Sequence, residues 1–238
     1  MVTMQIRVNR ETVRSSGGIR TTVIRVLGLA IAAMIWLAAD PAFAQLSSTT
    51  GLPAGDQFTA NLAAGTKAKF TVSGLSVNCD TSSTSGAVPA APANHNPSGP
   101  ITGPITSPVF KNGTGLTCPA TLGNATTTTS GAWSISLQFN TGGSTGTLTI
   151  PQNGVTTSTS IGGCVITVAP GGQTTVTGAF TSGSGSTKAR LAISNASVPV
   201  SVTGGFGCPT GAHSATFSAT YDITDTTSSP PTQIQVTN

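Results

Sequence analysis

The chain is poor in charge, and most of its net positive charge lies at one end. Asp, Glu, Lys and Arg together make up 7% of its residues, and its aromatic content is 5%. After residue 44 there is no glutamate at all. The carboxylates there are Asp56, Asp80, Asp222 and Asp225, set against Lys67, Lys69, Lys111, Lys188 and Arg190. The alkaline balance of the whole chain therefore belongs to its N-terminal end. No basic patch remains to attract phosphate, which excludes a nucleic-acid partner. Ser, Thr and Gly, poor helix formers, abound after residue 44 and no apolar period of the helical kind occurs there, so a helical fold is excluded as well. Ser, Thr, Asn, Gln and Gly supply the polarity instead, as suits the exposed face of a β-protein.

Residues 1–44 read as an export signal. Arg7, Arg10, Arg14, Arg20 and Arg25 precede the apolar run Val26 to Ala39, and Ala42-Phe43-Ala44 is a small-x-small cleavage pattern that places the cut between Ala44 and Gln45. The apolar run has 14 residues, short of the roughly 20 that span a bilayer. Attachment to a membrane would come only through this segment left uncleaved. An outer-membrane barrel would need more aromatics for its two girdles than residues 45–238 contain.

The stretch Ala132 to Gln152 carries the clearest local structure. Trp133, Ile135, Leu137 and Phe139 alternate with Ser134, Ser136 and Gln138, which puts four large apolar side chains on one strand face. A polar loop with glycines follows, and Thr147 to Ile150 returns with the same alternation up to Pro151. Further alternation predicts strands beginning at Gln57, at Ala68 to Val72 and at Leu75 to Cys79, with Gly74 as a bulge or bend between the last two. Cys164 to Val168, Thr174 to Phe180, Arg190 to Ile193, Val198 to Val202 and Ala215 to Ile223 continue the series, and Gln233 to Val236 adds an edge. The fold expected is all-β, an antiparallel sandwich or partly closed barrel. Residues 80–108 contain six of the 15 prolines and read as a long extended loop, the kind of segment that often carries function.

Residues 57–139 and 143–225 resemble each other. Gly115-Leu116-Thr117-Cys118-Pro119 and then Ala125-Thr126 correspond to Gly205-Phe206-Gly207-Cys208-Pro209 and Ala215-Thr216, so both halves read C-P-x5-A-T. Trp133-Ser134-Ile135 then matches Tyr221-Asp222-Ile223. Cys79, Cys118, Cys164 and Cys208 are an even set with no C-x-x-C pair, which points to disulfides rather than a metal site. Four cysteines allow three pairings. Two equivalent halves favour Cys79 with Cys118 and Cys164 with Cys208.

Sites for chemistry are few. Gly142-Gly143-Ser144-Thr145-Gly146 spells G-x-S-x-G, but a nucleophile elbow needs a helix after it and here a strand follows. The histidines are His95, in the proline-rich segment, and His213, and neither has a carboxylate close in sequence. Asp222 and Asp225 form D-x-x-D, too sparse for a calcium loop. His95 and Trp133 are the residues expected to make ligand or partner contacts. The expected function is that of a non-enzymatic exported protein, acting at the cell surface as a structural or binding module. The alternatives are a secreted hydrolase using the scarce His and Asp residues, or a carrier of a small hydrophobic ligand. The sequence implies no cofactor and no metal, and it leaves the partner open between a cell-envelope component and a small ligand.

The segments WSISLQ at 133–138, GTLTIPQ at 146–152 and GGFGCP at 204–209 resemble those of exported, uncharacterised Ser/Thr/Gly-rich proteins of actinobacteria. That resemblance implies export, and it brings no catalytic residue. Composition and cysteine count also resemble the small two-disulfide proteins that carry enediyne chromophores, although this chain is longer.

Overall fold

The computed structural model describes residues 46–238, and the expected cleavage site at Ala44 and Gln45 lies outside the described residues. The described residues form strands, turns and loops without a helix. In chain order the strands are β1 (Thr49–Leu52), β2 (Gln57–Leu62), β3 (Ala68–Val72), β4 (Leu75–Cys79), β5 (Thr81–Ala87) and β6 (His95–Asn96). Next come β7 (Ile101–Ile105), β8 (Val109–Lys111), β9 (Thr117–Ala120), β10 (Gly123–Thr129), β11 (Trp133–Gln138) and β12 (Thr145–Ile150). The last six are β13 (Val155–Thr159), β14 (Val165–Val168), β15 (Thr174–Thr181), β16 (Ala189–Thr203), β17 (Ser214–Asp225) and β18 (Gln235–Thr237).

A 15-stranded antiparallel sheet closes on itself because β2 pairs with β5 and β16 with β17 in addition to the linear order. One circuit of neighbours runs β16, β15, β12, β11, β7, β5, β2 and β17. The other runs β16, β14, β13, β10, β9, β4, β3 and β17. The long hairpin of β16 and β17 is common to both, its two ends serving different circuits. Closure pairs strand edges that would otherwise be open to aggregation. Each circuit has one thin contact, a single register pair: Gly86 opposite Ile105 in the first and Val77 opposite Ala120 in the second. A 3-stranded sheet of β18, β1 and β6 lies beside them.

The pairing pattern repeats between the halves. The ladders β2–β5, β3–β4, β5–β7 and β7–β11 recur as β12–β15, β13–β14, β15–β16 and β16–β17. Between halves, β11–β12 answers β17–β2, and β10–β13 answers β17–β3. The registers agree with the sequence match: Ser134 faces Thr149 where Asp222 faces Asn61, and Trp133 faces Ile105 where Tyr221 faces Leu191. Neither circuit is made from one half. Each draws strands from both, so the halves are interleaved.

The disulfides join Cys79 to Cys118 and Cys164 to Cys208, with Cα separations of 4.9 and 5.5 Å, inside the limit of about 7 Å for a bridge. The first ties β4 to β9 at the thin contact of the second circuit. Beside the second bridge Gly204 has φ +142, and a Cβ there would lie 2.6 Å from Cys208 Sγ, so no larger residue fits.

Several expectations are corrected. The first strand is β1 at Thr49, ahead of Gln57, because the lead-in pairs with β18 from the far end of the chain. Gly74 is no bulge: Ser73 (φ 43) and Gly74 (φ 85) form the two-residue turn of the β3–β4 hairpin, with Val72 opposite Leu75. Much of residues 80–108 is strand rather than loop. β5 is a Ser/Thr strand paired with β2 and β8, and β7 accommodates Pro104 with a ladder to β11 on one side and the single Gly86 pair on the other. Arg190 to Ile193 and Val198 to Val202 belong to one strand, β16, bent by a bulge between Ile193 and Ala196. β9, β10 and β13 have no counterpart in the sequence reading, since their Thr-rich segments lack apolar alternation. The face assigned to β11 also breaks down at its end. Gln138 is buried while Leu137 is half-buried, because the lead-in crosses there and Gln138 Nε2 donates to Ser47 O at 2.8 Å and Thr49 Oγ1 at 3.0 Å.

The core runs through both circuits, with Val72, Ile166, Ile193 and Val198 among its fully buried side chains. At the end of β17 the buried carboxylate of Asp225 collects the following loop. It accepts bonds from the N–H groups of Thr227 and Thr232 and from the hydroxyls of Ser228 and Thr232. Burial by itself would raise this carboxyl, but those donors outweigh it and hold it well below the usual carboxylate range. A depressed folded value stabilises above the unfolded one, about 3.9, and that stability is lost as the pH falls through it and below. Asp225→Asn therefore lowers stability at pH 7 by about 2 kcal/mol, since charge-assisted bonds are lost. The gap between native and variant closes below about pH 4. Thermal unfolding from pH 7 to pH 2 measures this; a gap that stays constant with pH contradicts it.

Candidate functional site

Where the two circuits meet, the core leaves a cavity of about 60 Å³. Trp133 of β11 and Leu148 and Ile150 of β12 reach it from the first circuit. Phe70 of β3, Thr127 of β10 and Thr157 of β13 reach it from the second, and Phe217 and Tyr221 from the shared hairpin. No charged residue is among its walls. Period two explains the arrangement: each of these side chains is on the inward face of its strand, and the two circuits bring inward faces together from opposite directions.

The aromatic residues have distinct roles. Trp133 is buried at 4% exposure, and its Nε1 donates to Ser130 O at 3.0 Å, which fixes the indole against the cavity. Phe110 of β8 meets Phe217 edge to face, with centroids 6.2 Å apart and planes at 88°. Both rings, like Phe70, are only half-buried. The Tyr221 hydroxyl is satisfied by Ser82 Oγ at 2.9 Å. Burial raises its pKa to about 12, with the Ser82 bond opposing in part, so it stays protonated and neutral. Among the other walls, the Thr127 and Thr157 hydroxyls bond each other at 3.0 Å.

Of the residues expected to make contacts, Trp133 is at the cavity and His95 is not. His95 lies exposed in β6, its Nδ1 2.9 Å from Thr50 Oγ1. His213 is exposed in the loop before β17. Ser144 lies directly ahead of β12, with a strand and no helix after it. Asp222 is engaged by Arg190 at 2.8 Å and Asp225 by its loop, so the D-x-x-D pair does not converge. Among the described residues no group of three His, Cys, Asp or Glu side chains is placed to hold a metal ion. A second cavity, about 20 Å³ inside the first circuit between Phe58, Ile101 and Phe180, is smaller and wholly apolar in its side chains apart from Gln235.

Sequence reasoning missed Phe70, Phe110, Thr127 and Thr157 as site residues. Phe70 reads as ordinary core, and the two threonines are hidden in Thr-rich runs. A signal was available in the internal match, where Thr127 aligns with Phe217. Comparison with protein-family models, with curated proteins and with solved structures finds no match to this chain.

Proposed function

We propose that residues 45–238 form an exported, non-enzymatic binding protein that holds a small, uncharged, mainly apolar molecule in the cavity between the two circuits. The observation that carries this reading is the cavity itself: uncharged, walled mainly by aromatic and aliphatic side chains and set where the two circuits meet. Binding sites of this kind are concave, mostly apolar and supplied with few polar groups. Two disulfides fit an oxidising compartment, in agreement with the leader-like N-terminal segment. No helix among the described residues is long and apolar enough to cross a membrane. The scarce ionisable groups are engaged in structural bonds or lie apart, which favours binding over turnover.

Trp133 is the one tryptophan of residues 45–238 and touches the cavity, so its emission reports occupancy directly. Titration with methylcyclopentane is expected to give a saturable change in Trp133 fluorescence, matched by a rise in thermal stability as ligand stabilises the folded state. The reading is overturned if methylcyclopentane and its hydroxylated analogue cyclopentanol both leave emission and melting unchanged up to their solubility limits.

A further inference from the structure

The cavity lies across the internal repeat, and the two halves furnish it differently. Thr127 follows Cys118-Pro119 at the same spacing at which Phe217 follows Cys208-Pro209, each directly after the matched Ala-Thr. Phe217 of β17 is paired with Phe70 of β3, and Thr127 of β10 with Thr157 of β13. These are the corresponding inter-half ladders. One copy of the scaffold thus has a cross-strand pair of rings in a position where the other has a cross-strand pair of hydroxyls. The open volume adjoins side chains smaller than those at the equivalent position, as expected where a ring pair is missing.

The threonine pair also has hydrogen-bonding capacity left over. Each hydroxyl has one hydrogen to give. In the pair, one hydrogen is spent between Thr127 and Thr157; the other hydroxyl has no further side-chain bond among the described residues. Thr157 is 4% exposed, so bulk water is not its ready partner. When the half-buried Thr127 donates to Thr157, the free hydrogen belongs to the buried Thr157, and a donor there in an otherwise largely apolar lining selects a ligand that carries an acceptor.

On the reading of the cavity given above, we infer that its ligand is a neutral ring or branched compound bearing a single hydroxyl or carbonyl oxygen. The apolar body of the ligand lies against Phe70, Phe110 and Phe217, and its oxygen faces Thr127 and Thr157. A space of about 60 Å³ admits about four to six atoms the size of a water oxygen, which limits the enclosed part of the ligand to a five-membered ring or a short branched chain. An ionised ligand is disfavoured because no wall residue offers a countercharge.

Cyclopentanol and methylcyclopentane have the same number of heavy atoms and differ in the one group at issue, so their affinities for the intact protein and for Thr127→Val/Thr157→Val separate the two claims. Valine keeps the shape of threonine and removes both hydroxyls. The inference expects both compounds to bind the native protein, and expects the double variant to weaken cyclopentanol by about tenfold while methylcyclopentane holds or tightens. Equal affinities of cyclopentanol for native and variant protein overturn the inference and leave the binding reading intact, as does native protein that takes methylcyclopentane and refuses cyclopentanol. Binding of neither compound overturns the binding reading itself. Should the double variant fold poorly, Thr157→Val alone provides the same comparison, and the native protein's choice between the two compounds needs no variant.

Discussion

Replacing Cys79 and Cys118 together by alanine is expected to cost about 4 kcal/mol of stability from loop closure alone, using the chain-entropy relation for a loop of this size. The bridge spans a sequence separation of 39 residues. The structure adds a local reason for a large effect. β4 and β9 meet through a single register pair, Val77 with Ala120, and the bridge crosses that contact from Cys79, at the end of β4, to Cys118 in β9. Without it the second circuit has its weakest joint unsupported. Both cysteines are buried, at 3% and 0% exposure, so their removal also leaves unfilled space in the core. The Cys164 to Cys208 bridge encloses a similar separation, 44 residues, but ties the residue ahead of β14 to a loop and leaves Cys208 half-buried. Its removal is therefore expected to cost less. Equilibrium unfolding in guanidinium of the two double-alanine variants provides the comparison. A loss below about 1 kcal/mol at the first bridge, or a greater loss at the second, contradicts the argument.

Cutting the backbone between Asn140 and Ser144 is expected to leave the protein folded and undivided. Each disulfide lies within its own half, so a cut there removes the only covalent link between them. The halves nonetheless share the ladders β11–β12, β10–β13, β17–β2, β17–β3 and β1–β18, together with one continuous core. Thr141, Gly142 and Gly143 are exposed at the tip of the β11–β12 hairpin, where a protease site can be inserted without disturbing a ladder. After cleavage, size-exclusion chromatography in native buffer is expected to show one species of the original size, and a denaturing, non-reducing gel two fragments. Unfolding becomes bimolecular, so its midpoint rises with protein concentration. Fragments that separate in native buffer at micromolar concentration would show that the inter-half ladders contribute little.

Much of the architecture is legible in local patterns. The alternation of Trp133, Ile135 and Leu148, Ile150 predicts the hairpin of β11 and β12, and the C-P-x5-A-T match predicts which cysteines join. Thr126 to Thr129 and Thr156 to Ser158 give no such reading, because threonine suits either face of a strand and carries no signal of direction. Pro104 and the serines of β5 mislead in the opposite sense. They read as loop because proline and serine favour turns, and they are strand because β11 and β2 offer them ladders.

By itself the sequence determined that residues 45–238 would be a β-protein and favoured two related halves with one bridge in each, because side-chain period and cysteine spacing are local properties that survive without knowledge of partners. Only the tertiary structure decided that the halves interleave, that β16 and β17 serve two circuits, and that Phe70, Phe217, Thr127 and Thr157 line one cavity. Strand pairing joins residues far apart in the chain, such as β2 with β17, and which strands pair depends on the closure of the whole sheet. A threonine's role is set by what lies opposite it, and that neighbour is absent from its own stretch of sequence.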